Sequence, residues 1–242
     1  QIYDGLVKID MEGNITENLA ESYDVSEDGL TYTFHLKQGI KFQNGEEMKE
    51  SDVVFTFKRA VEAPAAAHIF GDIDPASLTA VDDYTFQFSL KDANAGMIAA
   101  LCHPAAFIVN EKAVTEAGDD YARNPIGTGA FKLESWTKSA SMVLKRFEDY
   151  HGTAPEFDTL EVRIIPEATN RVIELETGGV DIAYDISPND VSRVEENDKL
   201  QLFRTPDYGT LYMGMNTQKS PLNDVKVRQA IAKTVDVEPM VN

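Results

Sequence analysis

Two short stretches, "TYTFHL" at 31–36 and "YTFQFSL" at 84–90, alternate apolar and polar residues one by one. Tyr32, Phe34 and Leu36 fall on one side of the first, against Thr31, Thr33 and His35 on the other. Tyr84, Phe86, Phe88 and Leu90 form the matching set in the second. A period of two is the spacing of a half-buried strand, and no helix puts such residues on one face. The chain must therefore build a sheet with an aromatic side, and its other segments must fit around it.

The remaining pattern does fit. "SEDG" joins two short strands within 19–45, the second of them at 31–36, and "DD" folds "LTAV" back onto the strand at 84–90. "ESDVVFTFKRAVEA" predicts a helix with a stripe of Val54, Phe57 and Val61, ended by Pro64. Lys49 precedes it, so the cap is expected at Glu50 or Ser51. "AGMIAALCHPAAFIVN" predicts an apolar helix stopped by Pro104 and then a short buried strand, and "EKAVTEAGDDYARNP" a polar helix and loop. Farther on, "SMVLKRF", "TLEVRIIP" and "VDIAYDI" predict strands, and "LQLFRTPDYGTLYMGMN" an extended stretch. Helices are expected at "EATNRVIELETGG", closed by Gly178 and Gly179, at "SPNDVSRVEEN", and at "NDVKVRQAIAKTVD" with Asp224 near its start. Strands and helices alternate throughout, which is an α/β fold with mixed β-sheets flanked by helices.

Between the two halves lies "NPIGTGAFKLESW" at 124–136. It lacks the G-x-x-x-x-G-K-[ST] spacing of a phosphate loop and leads into a strand, whereas phosphate is bound where such a loop opens a helix. It reads instead as an elbow: Pro125 fixes φ, and the glycines permit positive φ or a close backbone approach.

With 41 acidic against 22 basic residues the net charge is −19, and the basic residues are scattered, which argues against nucleic acid. The four histidines, His35, His68, His103 and His151, show no H-x-x-x-H spacing, so no metal site is expected. The one cysteine, Cys102, sits in an apolar run and reads as a structural thiol. There is no G-x-S-x-G, and so many carboxylates make a close acidic pair uninformative. The residues point to no enzyme and no cofactor. Tyr184 beside Asp185, and Tyr208, Tyr212, Met213 and Met215, combine polar-tipped aromatics with adaptable methionines, which suits a surface for varied ligands.

Several segments, taken in order, resemble the extracellular solute-binding proteins of family 5, the binding components of ABC importers for oligopeptides, dipeptides and nickel complexes. They are "YDGLV", "LAESYDVSEDGLTYTFHLKQGIKFQNGE", "SDVVFTFKRA", "NPIGTGAFKLESW", "DYHG", "ETGGVDIAYDIS" and "MNTQKSPLNDVKVRQAIAKTVD". The resemblance implies a periplasmic-binding-protein-like (type II) fold of which this chain is the first lobe, the second lobe being absent. It implies an insert subdomain over 1–125, apart from the first few residues, and a principal subdomain over 126–242.

It further implies a monomer in the periplasm or outside the cell, tethered to the outer face of the membrane, that hands a peptide or other small solute to membrane permease subunits. Nickel chelates and haem are alternative ligands; a surface peptide sensor and, further off, a secreted hydrolase are alternative roles. Carried over residue by residue, the ligand-binding positions are Tyr184, Asp185, Ile186, Tyr208, Tyr212 and Met213, with His103 where some members have an arginine and His68 in the insert's loop.

Overall fold

The computed structural model describes residues 1–205, 209 and 212–236. They form two compact units, Gln1–Pro166 and Glu167–Asn242. The change of subdomain expected near residue 125 lies within the first unit.

That unit begins with a hairpin of β1 (Val7–Ile9) and β2 (Ile15–Glu17), whose turn is tied by the Asp10 carboxylate, accepting from the amides of Glu12 and Asn14. A four-stranded sheet follows in the order β3-β4-β6-β5, from β3 (Ala20–Val25), β4 (Thr31–Leu36), β5 (Thr79–Asp82) and β6 (Thr85–Ser89). Asp28 accepts from the Leu30 amide and Gly29 takes a φ of 71°, which turns β3 into β4. A three-stranded sheet is made by β7 (Phe131–Thr137), β8 (Ser141–Arg146) and β9 (Thr159–Arg163). All these pairings are antiparallel.

The aromatic side predicted from the alternation is the core. Tyr32 pairs with Phe88 and Phe34 with Phe86 across β4 and β6, and all four are buried. The helix α1 (Glu50–Glu62) lays Phe57 on this face, its ring centroid 5.0 Å from that of Phe86. Phe70, from the short α2 (Ala67–Phe70), meets Phe57 edge-on. Packing of this kind contributes roughly 1.5–3 kcal/mol for each large apolar side chain removed from water.

Two expectations for α1 are corrected. Its buried stripe is Val53, Thr56, Phe57 and Ala60, with Val54 and Val61 only half buried. Thr56 tolerates burial because its hydroxyl donates to the Asp52 carbonyl at 2.7 Å and accepts from the Val109 amide at 3.1 Å. The N-cap stays at Lys49, whose amide donates to the Asp52 carboxylate at 3.0 Å. The same carboxylate accepts from the amide of Glu111, first residue of α4 (Glu111–Ala117), at 2.9 Å. One buried acid thus fastens the starts of two helices.

The apolar segment before α4 also departs from expectation. Only one turn of helix forms, α3 (Met97–Ala100), followed by a 3-10 turn at Pro104–Ala106. Ile108 and Val109 are buried, but they enter no ladder; the Ile108 amide bonds to the Asp4 carbonyl at 2.9 Å.

The second unit contains α5 (Ala168–Glu176), α6 (Val191–Glu195) and α7 (Val225–Thr234). Gly178, at a φ of 74°, follows α5, and the Asp224 carboxylate accepts from the Lys226 amide at 2.8 Å to open α7. Among its described residues only Val172, Asp190 and Val194 are buried. "VDIAYDI" is not a strand: among the described residues no strand pairs with it, and Asp185 turns the backbone at a φ of 60°. Alternation here has no partner to convert it into a ladder.

Candidate functional site

The elbow is built by close approach. A Cβ on Gly127 would lie 2.2 Å from the Ile2 carbonyl oxygen, and one on Gly129 would lie 2.3 Å from that of Gln1. Neither glycine has a positive φ, so proximity is what excludes a side chain. Residues 1–3 lie along the segment, with the Gly129 amide donating to Ile2 O at 2.9 Å and the Phe131 amide to Gln1 O at 3.0 Å. The Gln43 side-chain amide donates to the carbonyls of Ile2, Gly129 and Phe131 and accepts from the Gly127 amide, stitching the junction. Its polar groups are consumed internally, which agrees with a joint and not an anion cradle.

Near the elbow, the partly buried Asp4 carboxylate sits 3.0 Å from His151 Nε2. Burial pushes this carboxyl up, but hydrogen bonds from His151 and Asn18 outweigh it, so its pKa lies below the usual carboxylate range.

The predicted ligand residues fall into both units. In the second, Tyr184, Asp185 and Ile186 follow α5 on irregular backbone. The Arg171 guanidinium fixes this bend, donating from Nε to the Tyr184 carbonyl at 3.1 Å and from one terminal nitrogen to the Asp185 carbonyl at 2.7 Å. Tyr184 is left 83% exposed, and Tyr212 and Met213 are also exposed, at 80% and 63%. Tyr208 lies outside the described residues. Arg171 was not foreseen; the only sequence signal was a single cation in a helix just before the Tyr184 segment.

In the first unit His68 is exposed on α2, and His103 opens the 3-10 turn, its Nδ1 accepting from the Ala105 amide at 3.1 Å. His103 lines a cavity of about 660 Å³ with Tyr3, Arg59, Phe107, Asp119 and Tyr121. Burial pushes up the phenols of Tyr3 and Tyr121, whose hydroxyls are 3.2 Å apart. Cys102 is half buried, burial raises its thiol pKa, and the thiol points at the Ile98 carbonyl, as a structural cysteine would. Among the described residues no group of three His, Cys, Asp or Glu side chains could hold a metal ion.

A sequence model of the bacterial extracellular solute-binding proteins, family 5 Middle, matches residues 14–242. The chain belongs to family 5. Relatives of this family-5 chain include the dipeptide-binding protein of Escherichia coli K12, 34% identical over 94% of this chain and 47% of that protein. The glutathione-binding protein GsiB of Pectobacterium atrosepticum is 31% identical over 99% of this chain and 47% of its own length. Among solved structures, the periplasmic binding protein DppA of Helicobacter pylori, in complex with the peptide STSA, superposes with a TM-score of 0.89 at 30% identity. That match covers 99% of this chain and 52% of DppA. The family-5 chain therefore spans about half the length of the relatives it matches, and its fold is that of the corresponding half of a periplasmic binding protein. Family 5 consists of extracytoplasmic transport binders, and no described helix here is long and apolar enough to cross a membrane.

Proposed function

We propose that the protein is the substrate-binding component of an ABC importer, capturing peptides between two lobes and delivering them to a membrane permease. On this reading the chain supplies one wall of the cleft, and the other comes from the half of the relatives' length that it does not span. Residues 1–125 form the insert subdomain and 126–242 the principal one. The protein works without catalysis, outside the cytoplasmic membrane and tethered to it.

The observation that carries the reading is the Arg171-braced bend at Tyr184–Ile186. A positive φ at Asp185 and two carbonyls held by one guanidinium pre-set the bend, while Tyr184 is exposed. A pre-set bend bearing an exposed aromatic suits an extended ligand, whose backbone is the same for every sequence. Tyr212 and Met213, both exposed, add amphipathic and adaptable contact area, and Tyr208 is assigned to the same role from its place in the sequence alone. Closure of the second wall buries the guest and creates the form that a permease engages.

Calorimetry with dipeptides and tetrapeptides tests this on two proteins: the present chain, and the chain continued to the relatives' full length. The longer protein is expected to bind at least about a hundredfold more tightly, near 3 kcal/mol. Equal affinities would remove the divided-cleft reading. Mass spectrometry of ligand carried through purification of the longer protein identifies the guest directly.

A further inference from the structure

The cavity beside His103 holds opposite charges that do not satisfy each other. Arg59 and Asp119 both line it, yet they form no ion pair, and neither has another salt-bridge partner among the described residues. Small apolar side chains, including Ala60, Ala63, Ala66 and Ala105, make most of the wall, and Phe107 adds an aromatic face.

Deeper in, the hydroxyls are already ordered. Tyr3 donates to Tyr121 at 3.2 Å, and Tyr121 donates to the Ile126 carbonyl at 2.8 Å. Tyr3 Oη therefore keeps lone pairs to accept a further hydrogen bond. The positive field of Arg59 reaches both phenols. His103 cannot act as a second cationic clamp through Nδ1, which is taken by the Ala105 amide.

We infer that this cavity is a binding site for a small zwitterion, an α-amino acid with an apolar side chain. Its carboxylate meets the planar Arg59 fork, its ammonium lies toward Asp119 and the Tyr3 oxygen, and its side chain packs on the alanine wall and Phe107. The volume is in the range of sites for small ligands and leaves room for bridging water. A simple carboxylic acid would leave Asp119 facing an anionic guest, and a simple amine would do the same to Arg59 with a cation. Both are disfavoured for that reason. The site lies wholly within the first unit and does not rest on the transport reading.

The test is an NMR titration of the chain with phenylalanine, phenylacetate and phenethylamine, read at the amides of Ala63, Ala105 and Tyr121. Phenylalanine is expected to give saturable shifts at these positions, and the two single-charge analogues at least about tenfold weaker binding. Arg59 and Asp119 are both exposed, so Arg59→Gln and Asp119→Asn keep the fold, and each is expected to weaken phenylalanine binding about tenfold or more. Absence of saturable shifts at the cavity overturns the inference. So does phenylacetate or phenethylamine binding as well as phenylalanine, or an Arg59→Gln variant that binds unchanged. Peptide binding at Tyr184–Ile186 is unaffected by either substitution, which separates this result from the fate of the proposed function.

Discussion

Gly127→Ala is a sharp probe of the close approach between Gln1–Tyr3 and Gly127–Phe131. The new methyl carbon would sit 2.2 Å from the Ile2 carbonyl oxygen and 2.6 Å from Tyr3 Cδ1. Ordinary contact requires the 1–3 segment to retreat by more than about 1 Å. That movement breaks two hydrogen bonds to Ile2 O, from the Gly129 amide and from Gln43 Nε2, each at 2.9 Å. At about 1 kcal/mol per bond, plus about 1–3 kcal/mol for overpacking, the cost is about 3–5 kcal/mol.

The assay is guanidinium unfolding followed by fluorescence of Trp136, the single tryptophan, which lies on β7 in the same unit. Gly39→Ala is the control. Gly39 has a φ of 72° and no atom within 4 Å of an added Cβ, so it carries only backbone strain, about 1 kcal/mol. If Gly127→Ala costs no more than Gly39→Ala, close approach is not what the glycine provides.

Other outcomes follow from the same geometry. Asp52→Ala leaves the Lys49 and Glu111 amides without their shared acceptor and should destabilise the first unit by about 2–4 kcal/mol in the same unfolding assay. The Asp4 carboxyl titrates below the ordinary carboxylate value, so its stabilisation is complete above about pH 4 and is lost as pH falls through its lower folded value. Asp4→Asn should therefore lower stability at neutral pH and flatten the acid limb of a stability-against-pH curve. Asp185→Gly should change stability by less than about 1 kcal/mol, since aspartate already tolerates a φ of 60°, whereas Asp185→Val at that φ should unfold earlier on heating. Arg171→Met should speed hydrogen exchange at residues 184–186 while leaving α7 protected as before.

Much of the first unit was legible in the sequence, because its signals are local and agree with one another. The alternation at 31–36 and 84–90 meant a two-sided sheet, and Tyr32, Phe34, Phe86 and Phe88 are its buried face. Asp224 and Gly178 act at the helix ends where capping chemistry placed them. The failures have tertiary causes. Residues 180–186 alternate as a strand would, but a ladder needs a neighbour, and the sequence of the segment cannot say whether one is there. The buried face of α1 lies to one side of the predicted stripe because it includes Thr56, whose burial depends on the Val109 amide, 53 residues away. The opposing roles of Arg59 and Arg171 were equally hidden, since one guanidinium lines a cavity and the other braces a bend, and both look like a single cation on a helix. For the elbow, the glycines allowed either a positive φ or a close approach, and that it is an approach, to the carbonyls of Gln1 and Ile2, could come only from the fold.

Gln1–Tyr3 and Gly127–Phe131 run side by side, so the two ends of the Asp4–Ile126 segment emerge together from one seam. Gln43 reaches across that seam, and Lys41 and Asp4 reach beyond it to Asp149 and His151. A change of length inside the segment therefore leaves the spacing of its two ends as it is, whereas a bulkier residue at the seam pushes both threads apart.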